Sequence, residues 1–318
     1  MTITKTAASR GTAVSRRSPL KKMARCWQLY LILLLPLLYL LIFCYYPMFG
    51  VQIAFKDFTV SQGIWGSPWV GLKHFEKFIQ SPQFFRVMKN TILISFYSLL
   101  ASTPVPILLA LCVTYIRNTF FKKSVQMITY MPYFISTVVL VGMINQLFST
   151  RTGVFNTLLQ MIGFGPVDIL SPPQNFIHIY VWSGVWQMAG FNAIIYIAAL
   201  SSVDPALYEA CTIDGGNKFQ QIWYVDLPSI LPTVIIMLIM NCGSVLNIGF
   251  EKVFLMQNPS NLEYSEVIST LVYKVGLKST IPMYSYSSAV GLFTSVISLI
   301  LLTLVNAISR RVSETSLW

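Results

Sequence analysis

Charge is what this chain of 318 residues has least of. Asp, Glu, Lys and Arg make up 10% of it, against roughly 25% in an ordinary soluble domain. The deficit is concentrated: the stretches 26–55, 90–116, 124–150, 169–203, 227–250 and 279–309 contain none of the four residues. A soluble two-domain enzyme is thereby excluded. A proton relay needs ionisable groups within the membrane, so their scarcity also argues against a transporter driven by protons or sodium. The chain has no Gly-Lys dipeptide, hence no G-x-x-x-x-G-K-[ST] loop to cradle a nucleotide phosphate. Its two histidines, His74 and His178, stand far apart, and its five cysteines, Cys26, Cys44, Cys112, Cys211 and Cys242, are scattered. No zinc spacing or disulfide framework follows. Nor does a nucleophile cluster with an acid–base pair, as a membrane enzyme would require.

What is present is apolar length. Hydrophobic residues are 55% of the chain, and each uncharged stretch supplies the roughly 20 residues that a helix needs to cross a bilayer. The best cores lie at 28–47, 91–115, 126–148, 177–200, 229–248 and 285–308. A barrel strand would alternate polar and apolar residues, and Leu29-Tyr30-Leu31-Ile32-Leu33-Leu34-Leu35 does not. The expectation is an all-α integral membrane protein with six transmembrane helices. Lys and Arg number 22 against 11 Asp and Glu, and seven of them, Lys5, Arg10, Arg16, Arg17, Lys21, Lys22 and Arg25, precede the first span without an acid. The positive-inside rule puts that end in the cytoplasm, and six crossings bring Arg310 and Arg311 back to it. Such a basic tail is a topology signal that also touches anionic lipid, and it does not point to nucleic acid. The first apolar run is too long for a signal peptide, so a retained anchor is expected. The chain then divides into a largely disordered tail (1–25), a membrane domain (26–311) and a short cytoplasmic tail (312–318). Short helices are expected within the outer loops, at 74–79 and around 263–273.

The informative segment is the loop 201–228. Asp204 suits a helix N-cap and Pro205 the first helical position, so a helix is predicted from Pro205 to Ile213. Gly215 and Gly216 should end it, and Asn217 should cap a second helix leading into the next span. The residues alone are equally consistent with an ordinary helical loop.

The string Glu209-Ala210-Cys211-x-x-Asp214-Gly215-Gly216-x-x-x-Phe219-x-x-Ile222, followed by Leu227-Pro228 and Pro232, resembles the "EAA" motif of permease subunits of bacterial ATP-binding-cassette importers. The family pattern has Ala where Cys211 and Gly216 stand, and both replacements are small. The string Trp69-Val70-Gly71-Leu72-Lys73-His74-Phe75 is similar to the carbohydrate-uptake branch, especially permeases for polysaccharide fragments such as alginate oligosaccharides. The resemblance covers about residues 27–308. It implies a type I importer permease in the bacterial cytoplasmic membrane, not itself an enzyme. Its partners would be a second permease, taken to be a different chain, two copies of an ATPase subunit, and an extracytoplasmic binding protein that delivers an oligosaccharide. Cofactors are expected on the ATPase, as ATP and Mg, and none on this chain. Glu209, Ala210, Cys211, Asp214, Gly215 and Gly216 would couple to the ATPase. An ion-coupled secondary transporter and a membrane scaffold are the alternatives.

A sugar path needs hydrogen-bonding groups and aromatic faces within the spans. Candidates are Asn145, Gln146, Trp182, Trp186, Gln187, Asn192, Asn241 and Asn247. Polar side chains are costly in lipid and so face protein or a water-filled cavity. Hydrogen bonding between helices is the competing role. The outer segments 48–89, 149–175 and 249–283 carry nine basic and six acidic residues, a mildly positive surface that does not by itself specify an acidic sugar.

Overall fold

The computed structural model describes residues 27–312 apart from positions 244 and 247. The basic tail 1–25, Cys26, Asn247 and positions 313–318 lie outside the described residues. In chain order the principal helices are α1 (Trp27–Phe55), α2 (Lys73–Ile79), α3 (Phe84–Thr114), α4 (Thr119–Tyr130), α5 (Thr137–Leu147) and α6 (Val154–Met161). They continue as α7 (Asn175–Ser201), α8 (Pro205–Ile213), α9 (Lys218–Gly243), α10 (Phe250–Met256), α11 (Ile268–Tyr273) and α12 (Tyr284–Arg310). Among the described residues, extended pairing is confined to an isolated bridge between Lys56 and Trp69. Among the described residues five helices, α1, α3, α7, α9 and α12, are long and apolar enough to cross a bilayer, and the bent pair α4–α5 makes a sixth span if it counts as one.

The chain divides after Gln52 into two units. The first is the greater part of α1, an apolar helix whose turns widen to π geometry over Leu40–Tyr45, just before Pro47. Proline has no N–H to offer the preceding turn, and bonds to the fifth residue, such as Tyr46 N to Leu41 O, find a donor elsewhere. The same device recurs at Ile222–Asp226, before Pro228, where Leu227 N reaches Ile222 O.

In the second unit α7 is the central element. Its Phe176, Ile177, Val181 and Val185 pack with Ile94 and Ala101 of α3 and with Val253 of α10. One end of α7 closes through Ala193, Tyr196 and Leu200 against Ala110 and Leu111 of α3 and Ile230 of α9. A second core joins Phe78 of α2, Val87 of α3, Ile268 and Leu271 of α11, and Tyr286 and Val290 of α12.

The expected single helix at 126–148 is instead a bent pair, Thr119–Phe134 and Thr137–Leu147, meeting at 101°. Pro132 tightens the first piece into a 3-10 turn, Ile135 is extended at ψ 126°, and Ser136 caps α5. The break is held by α7. Gln187 Nε2 donates to Ile135 O at 2.8 Å, and the rings of Phe191 and Tyr133 stack with centroids 3.8 Å apart. Gly190, between them, lies where a Cβ would come within 2.0 Å of Thr129 O. The helix expected around 263–273 likewise forms in two pieces, Leu262–Ser265 and Ile268–Tyr273, separated by extended Glu266 and Val267.

Polar side chains at one end of α3 anchor that second broken segment. Asn90 Nδ2 donates to Glu263 O at 2.8 Å and Glu266 O at 3.0 Å, Thr91 Oγ1 accepts from Ile268 N at 3.1 Å, and Arg86 pairs with Glu266. Buried carbonyls that lose their donor carry the full desolvation penalty, about 1–3 kcal/mol each. Asn90→Leu is therefore expected to lower the detergent-solubilised melting temperature clearly, whereas the same change at exposed Asn145 should not. Equal melting temperatures for the two variants would refute the anchoring role.

Candidate functional site

The loop between α7 and α9 is built from local capping. Asp204 is extended, at ψ 122°, and its carboxylate accepts from Ala206 N at 2.9 Å, while Pro205 occupies the first turn where an N–H is not needed. The helix α8 has the predicted limits. It closes through Gly216 N to Cys211 O at 2.8 Å, with Gly215 at φ +80°, a conformation that costs glycine little. Gly216 is needed for space: a Cβ there would lie 2.5 Å from Cys211 Sγ and 2.7 Å from Cys211 O. The larger Cys at 211 and the smaller Gly at 216 thus complement each other. Asn217 and Gln220 then form a reciprocal capping box, with bonds of 2.9 and 2.7 Å, that starts α9.

One face of α8 is tied to the bundle. Tyr208 OH donates to Asp226 Oδ1 at 2.6 Å, and Tyr115, just past α3, donates to Asp226 Oδ2 at 2.7 Å. Asp226 is completely buried. Gln221 Nε2 donates to Thr212 Oγ1 at 3.0 Å, and Lys218 Nζ donates to Gln221 Oε1 at 2.8 Å and lies 5.4 Å from the Tyr115 ring. Burial first, and then the bond to Asp226, raise both phenols well above the usual tyrosine range. A raised acid is neutral in the fold, so the phenols' contribution is fully present below the unfolded tyrosine value of 10.0 and is lost as pH climbs through the raised values. The other face is open. Glu209, Ala210, Asp214 and Gly215 are exposed, Cys211 and Gly216 are half-buried, and Ile213 and Phe219 stand 85% and 82% exposed.

The candidate pathway residues do not converge on one space. Asn241 lines a cavity of about 210 Å³ among α3, α7 and the end of α9, together with Ser95, Ser98, Ser102, Tyr180 and Gly249. Trp182 and Trp186 line a separate apolar cavity of about 480 Å³ between α5 and α7, beside His178 and Phe148. Trp182 Nε1 donates to Tyr97 OH at 2.8 Å, and that hydroxyl is 3.1 Å from His178 Nδ1. Gln187 is the interhelical tie already described. Asn145 and Gln146 are exposed on α5, and Asn192 is half-buried on α7.

Sequence reasoning passed over Tyr115, Tyr208 and Asp226, and over the serines at 95, 98 and 102. The serines had a signal, since their spacing of three and four places them on one helical face.

The family model described as "Binding-protein-dependent transport system inner membrane component" matches residues 102–314. The chain belongs to this family. The permease is 39% identical over 290 residues to Protein LplB of Bacillus subtilis, covering 91% of each chain. It is also 39% identical over 303 residues to the polygalacturonan/rhamnogalacturonan transport system permease protein YteP of Bacillus subtilis, covering 95% of this chain and 94% of that one. Among solved structures it matches a bacterial ABC transporter involved in the import of the acidic polysaccharide alginate, with TM-score 0.84 and 40% identity over 92% of this chain and 99% of that one. A second match, TM-score 0.85 and 39% identity over 94% and 99%, is a bacterial alginate ABC transporter in complex with an alginate pentasaccharide-bound periplasmic protein. The permease is thus an all-helical inner-membrane transport component and belongs to a family of transport proteins rather than enzymes.

Proposed function

We propose that this permease forms half of the passage of an ATP-driven importer for acidic oligosaccharides, alginate or galacturonan fragments, delivered by an extracytoplasmic binding protein. The observation that carries the coupling role is α8 itself, tied to the bundle on one face and presenting Glu209, Asp214 and Ile213 on the other. A short helix so held can dock in a separate ATPase subunit and follow its closure. ATP and Mg would bind there, two ATPase copies serving this chain and a second, different permease. The basic residues flanking the first and last spans support cytoplasmic termini, on the side of α8. The substrate class is supported by the alginate and polygalacturonan transporters at 40% and 39% identity, both handling uronate polymers. The cavity around Asn241, Ser98 and Ser102 offers the hydrogen-bonding groups that a sugar requires.

The test is purification from the native membrane in a mild detergent, followed by ATPase assays with the binding protein and defined oligosaccharides. Recovery of an ATPase and a second permease, with hydrolysis stimulated by uronate oligomers and not by neutral maltooligosaccharides, is expected. Stimulation by neutral sugars alone would overturn the substrate class, and recovery of the chain without an ATPase would overturn the importer.

A further inference from the structure

Asp226 is a carboxylate with no exposed surface, and among the described residues no Lys or Arg lies within ion-pairing distance of it. Its two oxygens are instead shared between phenols from different elements. Tyr208 projects from α8, 18 residues before it, and Tyr115 from the end of α3, 111 residues before it. Bonds of 2.6 and 2.7 Å from O–H to a carboxylate are of the short, charge-assisted kind. The carboxylate stands in the π-helical turn Ile222–Asp226, immediately ahead of Leu227 and Pro228. Three elements therefore meet on one functional group: α8, the end of α3 and the first turns of α9.

The chemistry suits a mechanical link. A tyrosine has two rotatable side-chain angles, so its hydroxyl follows its backbone closely, and a buried charge holds its donors because losing one leaves it poorly compensated. The other tie between α8 and α9, Gln221 to Thr212, is neutral and longer, at 3.0 Å. Gly215, at φ +80°, Gly216 and the capping residue Asn217 make the turn between α8 and α9, which joins the two helices along the chain but does not tie α8 to α3.

We propose that Asp226, Tyr208 and Tyr115 form a latch through which displacement of α8 is delivered to both α3 and α9. The role rests on α8 being the element that docks on the ATPase. These are positioning residues: none touches nucleotide or sugar, and their effect is on how hydrolysis is converted into transport. The links act in series, with Tyr208 nearest the source of motion.

Tyr208→Phe, Tyr115→Phe, the double variant and Asp226→Asn would be assembled with the partner subunits in proteoliposomes, and uptake measured per ATP hydrolysed. Tyr208→Phe should retain the ATPase at wild-type stoichiometry and lower uptake per ATP about tenfold, the worth of one charge-assisted hydrogen bond. The double variant should be no worse than Tyr208→Phe, because a chain already cut at its first link loses nothing more. A purely structural role would instead reduce the amount of complex while leaving uptake per ATP intact, and that result, or additive losses in the double variant, overturns the proposal. Asp226→Asn, which removes the charge and keeps the shape, covers the case of a tyrosine variant that fails to assemble. A second readout is independent of the importer. Spin labels at Arg117→Cys and Ile213→Cys, with the native cysteines changed to serine, should give a narrow distance distribution in the purified chain that broadens in Tyr208→Phe. An unchanged distribution overturns the latch even if the importer stands, and loss of the ATPase from the unmutated complex refutes the importer, and with it the delivery of motion, while the spin-label result still decides whether Tyr208 ties α8 to the end of α3.

Discussion

Glu209→Lys should abolish sugar-stimulated ATP hydrolysis and uptake in reconstituted complexes while leaving the permease folded. Glu209 is exposed on the outward face of α8 and makes no hydrogen bond or ion pair among the described residues. Lysine and glutamate have similar helix propensities, and exposed substitutions usually stay within about 0.5 kcal/mol, so α8 itself should tolerate the change. An interface is less forgiving. Reversing a charge that docks against a complementary partner costs several kcal/mol, on the order of 100-fold or more in affinity. Glu209→Gln, which keeps the shape and loses the charge, should fall between the two. The measurement is stimulated hydrolysis and uptake, with thermal melting as the folding control. Wild-type values for Glu209→Lys in a fully assembled complex would remove Glu209 from the coupling role.

Gly190→Val should prevent the bundle from packing. At this position α7 passes so close to the end of α4 that a Cβ would meet Thr129 O at 2.0 Å and Tyr130 N at 3.0 Å. Both are backbone atoms, so no side chain can rotate away. Replacing a helical glycine ordinarily gains stability, by up to about 1 kcal/mol for alanine. Here the overpacking penalty, about 1–3 kcal/mol and at its upper end because the obstructing atoms are backbone, wins. The crossing cannot simply open, because Gln187 bonds Ile135 O at 2.8 Å and Phe191 stacks on Tyr133 at 3.8 Å on either side of Gly190. Close backbone approach through a small residue is the usual way that membrane helices associate. The readout is the yield and melting temperature of purified protein, with Gly142→Val as the control, since nothing lies within 4 Å of a Cβ at that position. Equal behaviour of the two variants would show that the crossing is loose.

Much of the loop 201–228 was legible because its signals are local. Asp204 with Pro205, Gly215 at positive φ, and Asn217 with Gln220 act within a single turn, so α8 could be bounded to the residue. Hydropathy located the spans for the same reason. It failed to see that 126–148 is broken, since Tyr133, Phe134 and Ile135 are as apolar as any helical run. Pro132 and the Ser136-Thr137 cap were the available hints. Lys252 was counted only as an outer charge, yet it is buried, with its amine 2.9 Å from Tyr180 O and 4.8 Å from that ring.

The candidate pathway residues show the limit most clearly. Composition can say that Gln187 and Asn241 avoid lipid, but it cannot say what they or Trp182 face. Asn241 joins a serine-lined cavity, Trp182 an apolar one, and Gln187 a carbonyl 52 residues away. Asp226 carries no signal along the chain, and its role depends on Tyr115, brought to it from 111 residues earlier. Hydropathy and capping depend on neighbours within a few residues, so the apolar spans, their order and the limits of α8 can be read directly along the chain. The break in the third span, the close approach at Gly190 and the shared carboxylate at Asp226 depend on groups brought together from far apart, and only folding places them.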